Sequence, residues 1–213
     1  MSDPILVYGT GGHAKIVLAT VEAAGQYEIA GLLDDDPVRH GTTVGGYTVL
    51  GGREQLARLI AQGVRGAVVA VGDNRQRAQL THFLRQSGLQ PAQAIHPTAI
   101  VLHGARIGEG TVVLPNAFVG GDAVVGEGVI VSISAVVGHD CVVGCWAQLC
   151  PKASLGGAAR VGDYAFLGTG AVVLPGVSVG CGAVVGANAV VNRDLPDGVT
   201  AVGVPAHVVK GAP

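Results

Sequence analysis

An aliphatic residue recurs at every sixth position through the second half of the chain. The series begins at Ile95, ends at Val191 and contains only isoleucine, valine and leucine. The residue two positions earlier is usually alanine, and glycine often follows, as in Val137-Gly138. Helices repeat every 3.6 residues and strands every two, so neither produces this period. A solenoid does, because each coil buries its aliphatic residues against its neighbours. Three hexads to a coil predict roughly five and a half triangular coils over residues 93–192.

The first ninety residues follow a different pattern, in which short apolar strands alternate with helices. Strands are predicted over residues 5–8, 27–33 and 67–72, and helices after the first strand and over residues 53–62 and 75–86. This alternation predicts a small parallel, Rossmann-like βαβ domain. The fold class is therefore mixed, with an α/β domain (residues 1–92), a parallel β-solenoid (residues 93–192) and a C-terminal tail (residues 193–213).

Glycines and acidic residues follow the predicted strands of the α/β domain, where a parallel sheet binds its ligands. The first strand runs into Gly9-Thr10-Gly11-Gly12-His13, which lacks the full spacing of a dinucleotide site. Its glycines either form a tight turn or let backbone N–H groups bind a phosphate. Asp34 and Asp35 follow the second strand and suit donors on a sugar or base. Candidate ligand-binding residues in this domain are Gly11, Gly12, His13, Asp34, Asp35 and Gly72.

Composition excludes several classes of function. The net charge of −2 gives no electrostatic footprint for nucleic acid. Residues 164–192 carry no charge and could span a bilayer by length, but they contain Pro175 and keep the six-residue period, which favours solenoid coils. The four cysteines have no CxxC spacing, so no zinc site is predicted.

His139 is the strongest candidate for chemistry. It lies two residues after the inward aliphatic Val137, near a corner of the coil, and Asp140 follows it. An imidazole is well suited to accept a proton near neutral pH, and a neighbouring carboxylate can orient it. The alternative is a surface histidine that caps a turn. His103 falls on the same edge two coils earlier, and there a surface role is favoured.

Five motifs together give a resemblance that covers nearly the whole chain. They are the glycine loop, Leu33-Asp34-Asp35, Val71-Gly72-Asp73-Asn74, Ala94-Ile95-His96-Pro97 and Gly138-His139-Asp140-Cys141. With the hexad repeats, they resemble the bacterial nucleotide-sugar N-acetyltransferases of the hexapeptide-repeat family, which acetylate amino sugars such as perosamine and bacillosamine precursors. The resemblance implies that the solenoid is a left-handed parallel β-helix.

The resemblance also implies a reaction and its participants. It implies acetyl-CoA as co-substrate, a nucleotide-linked amino sugar (a 4-amino-4,6-dideoxy sugar) as acceptor, a cytoplasmic homotrimer with active sites between subunits, and a role in glycan biosynthesis. No metal, nucleic acid or membrane is expected. His139 would be the general base, tuned by Asp140, in a direct transfer without an acyl-enzyme. Acetyl-CoA would pass Gln148, Gly157, Thr169 and Ala187.

Two departures from the family pattern concern the chemistry. Some relatives have glutamate at the position of Asp140, and some have histidine at that of Gln148. Glutamine can donate a hydrogen bond but cannot accept a proton, so a mechanism with one histidine is predicted. The alternatives are a sugar O-acetyltransferase and a non-catalytic nucleotide-sugar-binding protein.

Overall fold

The structure, a computed structural model, describes residues 3–211. The first two residues of the predicted α/β domain and the last two of the predicted tail lie outside it. The chain divides into two compact units with a boundary between His96 and Pro97. This boundary falls a few residues after the one predicted at residue 92. We call the two parts the N-terminal unit and the solenoid unit.

The N-terminal unit is a parallel sheet with helices. Its sheet has the strand order β2-β1-β5-β6, and β3 and β4 form a separate antiparallel hairpin. Leu6 and Val7 in the central strand are both fully buried, because side chains pack on both faces of the sheet. The elements are β1 Asp3–Tyr8, α1 Gly12–Ala24, β2 Tyr27–Leu33, β3 Thr43–Val44, β4 Tyr47–Thr48, α2 Leu56–Ala61, β5 Gly66–Val69, α3 Asn74–Gln86, β6 Gln90–Pro91 and β7 Ala94–Ile95.

Several boundaries differ from those predicted. The third predicted strand, residues 67–72, is shorter and ends at Val69, so residues 70–73 form a loop. The helix predicted over residues 53–62 begins as a 3-10 turn at Arg53–Gln55 and becomes α-helical at Leu56. The short hairpin of β3 and β4 was not predicted, because two-residue strands carry too little hydrophobic alternation to be recognised.

The solenoid unit is a parallel β-helix of about six turns, which confirms the predicted fold class. Its strands pair in register with the strand one coil later, as Val112 does with Ile130 and Val113 with Val131. Three sheets result, each made of every third strand of the coil: the first contains Val112–Val113, the second Phe118–Val119 and the third Val124–Val125.

The strands of this unit are short and evenly spaced. Their bounds are β8 Ile100–Val101, β9 Arg106–Ile107, β10 Val112–Val113, β11 Phe118–Val119, β12 Val124–Val125, β13 Ile130–Val131, β14 Val136–Val137, β15 Val142–Val143, β16 Gln148–Leu149, β17 Ser154–Leu155, β18 Arg160–Val161, β19 Phe166–Leu167, β20 Val172–Val173, β21 Ser178–Val179, β22 Val184–Val185, β23 Val190–Val191, β24 Thr200–Val202 and β25 His207–Lys210.

The hexad aliphatics form the core of the solenoid from Val113 onward, as predicted, and each is 2 % exposed or less. The prediction was wrong for Val101, which is 38 % exposed, while Ile107 is half-buried. In its sheet, Val101 lies in the terminal strand and pairs on one side alone, with Val119. The repeat pattern cannot show this, since it assigns the same environment to every coil.

The predicted tail does not leave the solenoid at once. Leu195 forms a parallel bridge to Val179, and β24 extends the first sheet beside β22. Strand β25 then folds back antiparallel on β24. The irregular spacing after Val191 therefore changes the loops without ending the stack.

Candidate active site

The structure places one candidate site in each unit. In the solenoid unit, His139 lies in the turn between β14 and β15. Asp140 beside it has a φ of 59°, in the left-handed region that aspartate tolerates better than most residues. The Nδ1 atom of His139 lies 2.7 Å from Oδ2 of Asp140, and the two side chains are 73 % and 60 % exposed. This chain thus provides an accessible imidazole held by a carboxylate.

The contact with Asp140 determines which ring nitrogen of the neutral His139 side chain carries the proton. An ionised carboxylate only accepts hydrogen bonds, so Nδ1 must donate its proton to Asp140. In the neutral ring, Nε2 then carries a lone pair and can accept a proton. The predicted roles of the pair are chemically consistent with this arrangement.

Gly157, in the same turn one coil later, lies against the imidazole. A Cβ at this position would lie 2.4 Å from Nε2 and 2.5 Å from Cε1 of His139. The adjacent N–H of Ala158 donates to the His139 carbonyl at 2.8 Å, whereas the N–H of Gly157 meets no acceptor within residues 3–211. Glycine is therefore required for the ring to lie here, and the residue that Nε2 packs against has an N–H that no described residue binds.

Cys141 is the thiol nearest in sequence to this pair, but it points into the core. It is fully buried, and its Sγ donates to the Gly156 carbonyl at 3.1 Å. Burial raises the pKa of the thiol, which disfavours the thiolate that a nucleophile needs. This supports the prediction that the transfer needs no acyl-cysteine.

The other predicted coenzyme-binding residues do not lie near His139 in sequence or in the coil. Gln148 is in β16 of the first sheet, whereas the His139 turn joins the second and third sheets. Thr169 and Ala187 lie in turns that join the first and second sheets. Of the four predicted coenzyme-binding residues, only Gly157 shares the edge of His139 within one chain. The Oε1 atom of Gln148 is buried without a hydrogen-bond partner among the described residues.

In the N-terminal unit, the glycine loop leads into the first turn of α1. Gly11 is the N-cap residue without a side-chain cap, and Gly11 and Gly12 are both exposed. A Cβ at either glycine would meet nothing within 4 Å. The N–H of Ala14 donates to the Gly11 carbonyl at 3.0 Å, whereas those of Gly12 and His13 meet no acceptor among the described residues. These two N–H groups are the ones that this helix end offers to an anion.

Asp34 and Asp35 both have partners inside the protein, which the sequence did not predict. Asp34 Oδ2 accepts from the backbone N–H of Thr10 at 2.9 Å and from its hydroxyl at 2.5 Å. Its Oδ1 accepts from the N–H of Asp36 at 3.0 Å. Asp34 thus fixes the start of the glycine loop, and a role as ligand for the substrate stays a prediction.

Asp35 accepts hydrogen bonds from the Tyr8 hydroxyl and from Nε and Nη2 of Arg53. Burial by itself raises the pKa of Asp35, but the hydrogen bonds from Arg53 and Tyr8 outweigh it and hold the pKa below its ordinary value. Asp35 and Arg53 border an open cleft of about 360 Å³, which Gln76, Gln79 and Leu80 also line. The cleft has room and polar groups for part of a ligand.

His13 is largely buried, and its Nε2 atom has no partner within the described part of the chain. Burial, and to a lesser extent the charge of Arg77, lowers the pKa of His13 from 6.5 to about 4. The ring is therefore neutral at physiological pH. Arg77 is 1 % exposed. Its burial could not be foreseen from the sequence, because it occupies a polar position in the helix pattern.

We expect acid to destabilise the N-terminal unit through His13. Unfolded His13 titrates near 6.5 and folded His13 near 4, so the unfolded state binds the proton first as pH falls. The stabilisation is complete above pH 6.5 and is lost towards pH 4. Urea denaturation measures the free energy of unfolding. Between pH 7.5 and pH 4.5, this free energy should fall by about 2.5 kcal/mol more in wild type than in His13→Asn. Equal losses in the two proteins would contradict the assignment.

Within residues 3–211, no three histidine, cysteine or acidic side chains converge to hold a metal ion. None of the helices in this range combines the length and apolarity that crossing a membrane requires.

The fold has relatives among known proteins. Residues 4–84 match the PglD N-terminal domain family. The chain is 42 % identical to PerB of Caulobacter crescentus, whose structure contains CoA and GDP-perosamine, with a TM-score of 0.92 over 98 % of this chain and 97 % of that one. Perosamine N-acetyltransferase of this organism has also been solved with the same ligands after replacement of one histidine by asparagine or alanine.

Two further relatives extend the comparison. The acetyltransferase domain of PglB from Neisseria gonorrhoeae, solved with acetyl coenzyme A, is 36 % identical, with a TM-score of 0.90 over 98 % of this chain and all of that domain. UDP-N-acetylbacillosamine N-acetyltransferase of Bacillus subtilis is 36 % identical over 114 residues, 52 % of this chain and 50 % of that enzyme. The match thus spans about half the length of this curated relative. The chain belongs to the nucleotide-sugar N-acetyltransferases of the left-handed β-helix family.

Proposed function

We propose that this protein transfers the acetyl group of acetyl-CoA to the amine of a nucleotide-linked 4-amino-4,6-dideoxy sugar, with His139 as the general base. The observation that carries the proposal is the geometry of the His139 turn. Asp140 binds Nδ1 of the ring, and Nε2 lies over Gly157, whose N–H meets no acceptor within residues 3–211.

The reaction follows from this geometry. The amine nitrogen of the sugar attacks the thioester carbonyl carbon, and Nε2 of His139 takes the proton that the nitrogen loses. Asp140 favours the imidazolium that forms by accepting its Nδ1 proton in a hydrogen bond. The tetrahedral intermediate then expels CoA thiolate, which receives the proton from His139 and leaves as the thiol. We expect the N–H of Gly157 to donate a hydrogen bond to the oxyanion.

The N-terminal unit supplies groups for the nucleotide. The first turn of α1, at Gly11 and Gly12, offers backbone N–H groups to the diphosphate. The cleft beside Asp35 accommodates a ribose or base, with Gln76 and Gln79 as hydrogen-bonding side chains. A neutral His13 provides a hydrogen-bonding ring near the same loop without adding a charge.

The positions of the predicted coenzyme-binding residues support a trimer. Gln148, Thr169 and Ala187 lie on other parts of the coil than His139, so one elongated co-substrate cannot readily reach all four on a single chain. A second copy would bring the missing residues to the His139 edge. Partly exposed aliphatic side chains on the coil surface, such as Ile133 and Leu174, suit contacts between copies.

Light scattering provides a test of the predicted trimer. We expect a mass of three times 21.2 kDa at assay concentrations and a loss of specific activity on dilution to monomer. A monomer of 21.2 kDa with full activity would contradict an active site shared between subunits.

Activity is tested with UDP-, GDP- and dTDP-linked 4-amino sugars, each paired with the matching sugar that has a hydroxyl group in place of the amine. We expect thiol release from acetyl-CoA with one amino sugar and not with its hydroxyl counterpart. Turnover of the hydroxyl sugars would instead establish an O-acetyltransferase. Tight binding of a nucleotide sugar without turnover would establish a non-catalytic binding protein.

A further inference from the structure

Arg77 is a buried cation in the N-terminal unit whose guanidinium binds two consecutive backbone carbonyls. Its side chain is 1 % exposed, although arginine is rarely buried in proteins. Nη1 donates to the carbonyls of Val71 and Gly72, each at 3.2 Å, and Nη2 donates to Oδ1 of Asn74 at 2.8 Å. Burial lowers the pKa of Arg77 to about 10, so the side chain remains charged at neutral pH. One guanidinium thus fixes the loop between β5 and α3.

These contacts determine which way the loop presents its amide groups. In a planar trans peptide the C=O and N–H point in opposite directions. Two consecutive carbonyls turned towards one guanidinium therefore turn the N–H groups of Gly72 and Asp73 away from it. Both residues are exposed, and neither N–H meets an acceptor within residues 3–211. Successive N–H groups that face solvent on one side of a loop can bind an anion together, and we call this pair of N–H groups the nest.

The nest lies beside the glycine loop. Gly9 has a φ of 101°, and a Cβ there would lie 2.9 Å from Cγ2 of Val71 and 3.1 Å from the Ala70 carbonyl. Strands β1 and β5 are also adjacent in the sheet, with Tyr8 paired to Val69. The first turn of α1 and the loop after β5 therefore emerge side by side at the carboxyl edge of the sheet.

We propose that Arg77 is a positioning residue, which orients the N–H groups of Gly72 and Asp73 so that they bind the diphosphate of the substrate together with the first turn of α1. The inference rests on the proposed function, because it assigns the nucleotide diphosphate to this edge. Arg77 contacts the carbonyl side of the loop, opposite the N–H groups, and does not touch the ligand.

Calorimetric binding of UDP, GDP and dTDP provides the test. For the nucleotide that binds wild type best, Arg77→Gln should raise the Kd by about 10- to 100-fold, which corresponds to one or two lost charge-assisted hydrogen bonds. The KM for acetyl-CoA should stay within about twofold, because the solenoid unit is unchanged. Arg75→Gln is the matched control, since it removes the same charge from an exposed position on the same helix. Its Kd should stay within about twofold of wild type.

Arg77→Lys separates positioning from charge. Lysine keeps the positive charge but lacks the planar set of donors that binds three acceptors at once. We expect its Kd to lie near that of Arg77→Gln. A Kd equal to wild type in Arg77→Lys would overturn the positioning role, and so would equal KM increases for nucleotide sugar and acetyl-CoA in Arg77→Gln.

Gly72→Pro tests the nest without disturbing the buried arginine, in case Arg77 variants fail to fold. Proline removes the N–H of residue 72, whereas Gly72→Ala retains it, and a Cβ at Gly72 meets nothing within 4 Å. We expect Gly72→Pro to weaken nucleotide binding several-fold more than Gly72→Ala. Equal binding by the two variants would overturn the inference. Wild type that binds a diphosphate but acetylates no amino sugar would refute the proposed function alone.

Discussion

His139→Asn should lower kcat by about a thousandfold and leave the KM values for both substrates within about threefold of wild type. General-base catalysis by a positioned side chain contributes 10²- to 10⁴-fold, and asparagine cannot take up the proton. Its amide can still donate to Asp140, so the turn should keep its conformation. Steady-state assays of thiol release measure the effect.

His103→Asn provides the matched control for this prediction. His103 is exposed and occupies the same turn position two coils earlier. The substitution changes the same atoms on the same edge, and we expect kcat within about twofold of wild type. Comparable losses of kcat in the two variants would show that any change on this edge of the coil lowers the rate, and would contradict a specific role for the proton acceptor at position 139.

Gly157→Ala should lower kcat by about a hundredfold although His139 itself is unchanged. The new methyl group would lie 2.4 Å from Nε2, so the ring must turn away from its place over residue 157. A displacement of about 1 Å at a catalytic group can cost about a hundredfold in rate. Because the ring is on the surface, the melting temperature should change little.

The control for this substitution is Gly121→Ala, in the same turn position two coils before Gly157. A Cβ there would meet only the His103 carbonyl, at 3.4 Å, and no ring. We expect kcat near that of wild type. A wild-type rate in Gly157→Ala would show that the imidazole reaches the amine from a different rotamer.

Much of the solenoid was predictable because one physical constraint repeats in every coil. The aliphatic position must be buried between neighbours, so Val113, Val137 and Val161 each predict a strand that the structure contains. The repeat does not reveal the strain in the turns. Trp146, for example, has a φ of 62° and packs its ring against Gly128 one coil earlier, which no hexad rule indicates.

The candidate sites were less predictable than the fold. His139 could be singled out because Asp140 adjoins it in sequence, and the contact is local. The contacts of Asp34 with Thr10 and of Arg77 with Val71 join residues whose proximity depends on the folded loops. Gln148 shows the same difficulty, since its distance from His139 around the coil follows from sheet assignment and not from sequence separation.

The most direct test of the central claim is acetyl transfer from [¹³C]acetyl-CoA to the nucleotide-linked 4-amino sugar that gives the fastest thiol release. The account predicts a product whose labelled carbonyl is bonded to the sugar nitrogen, visible by NMR as an amide, and formed about a thousandfold more slowly by His139→Asn. Label on a sugar oxygen, or equal rates for the two proteins, would contradict it.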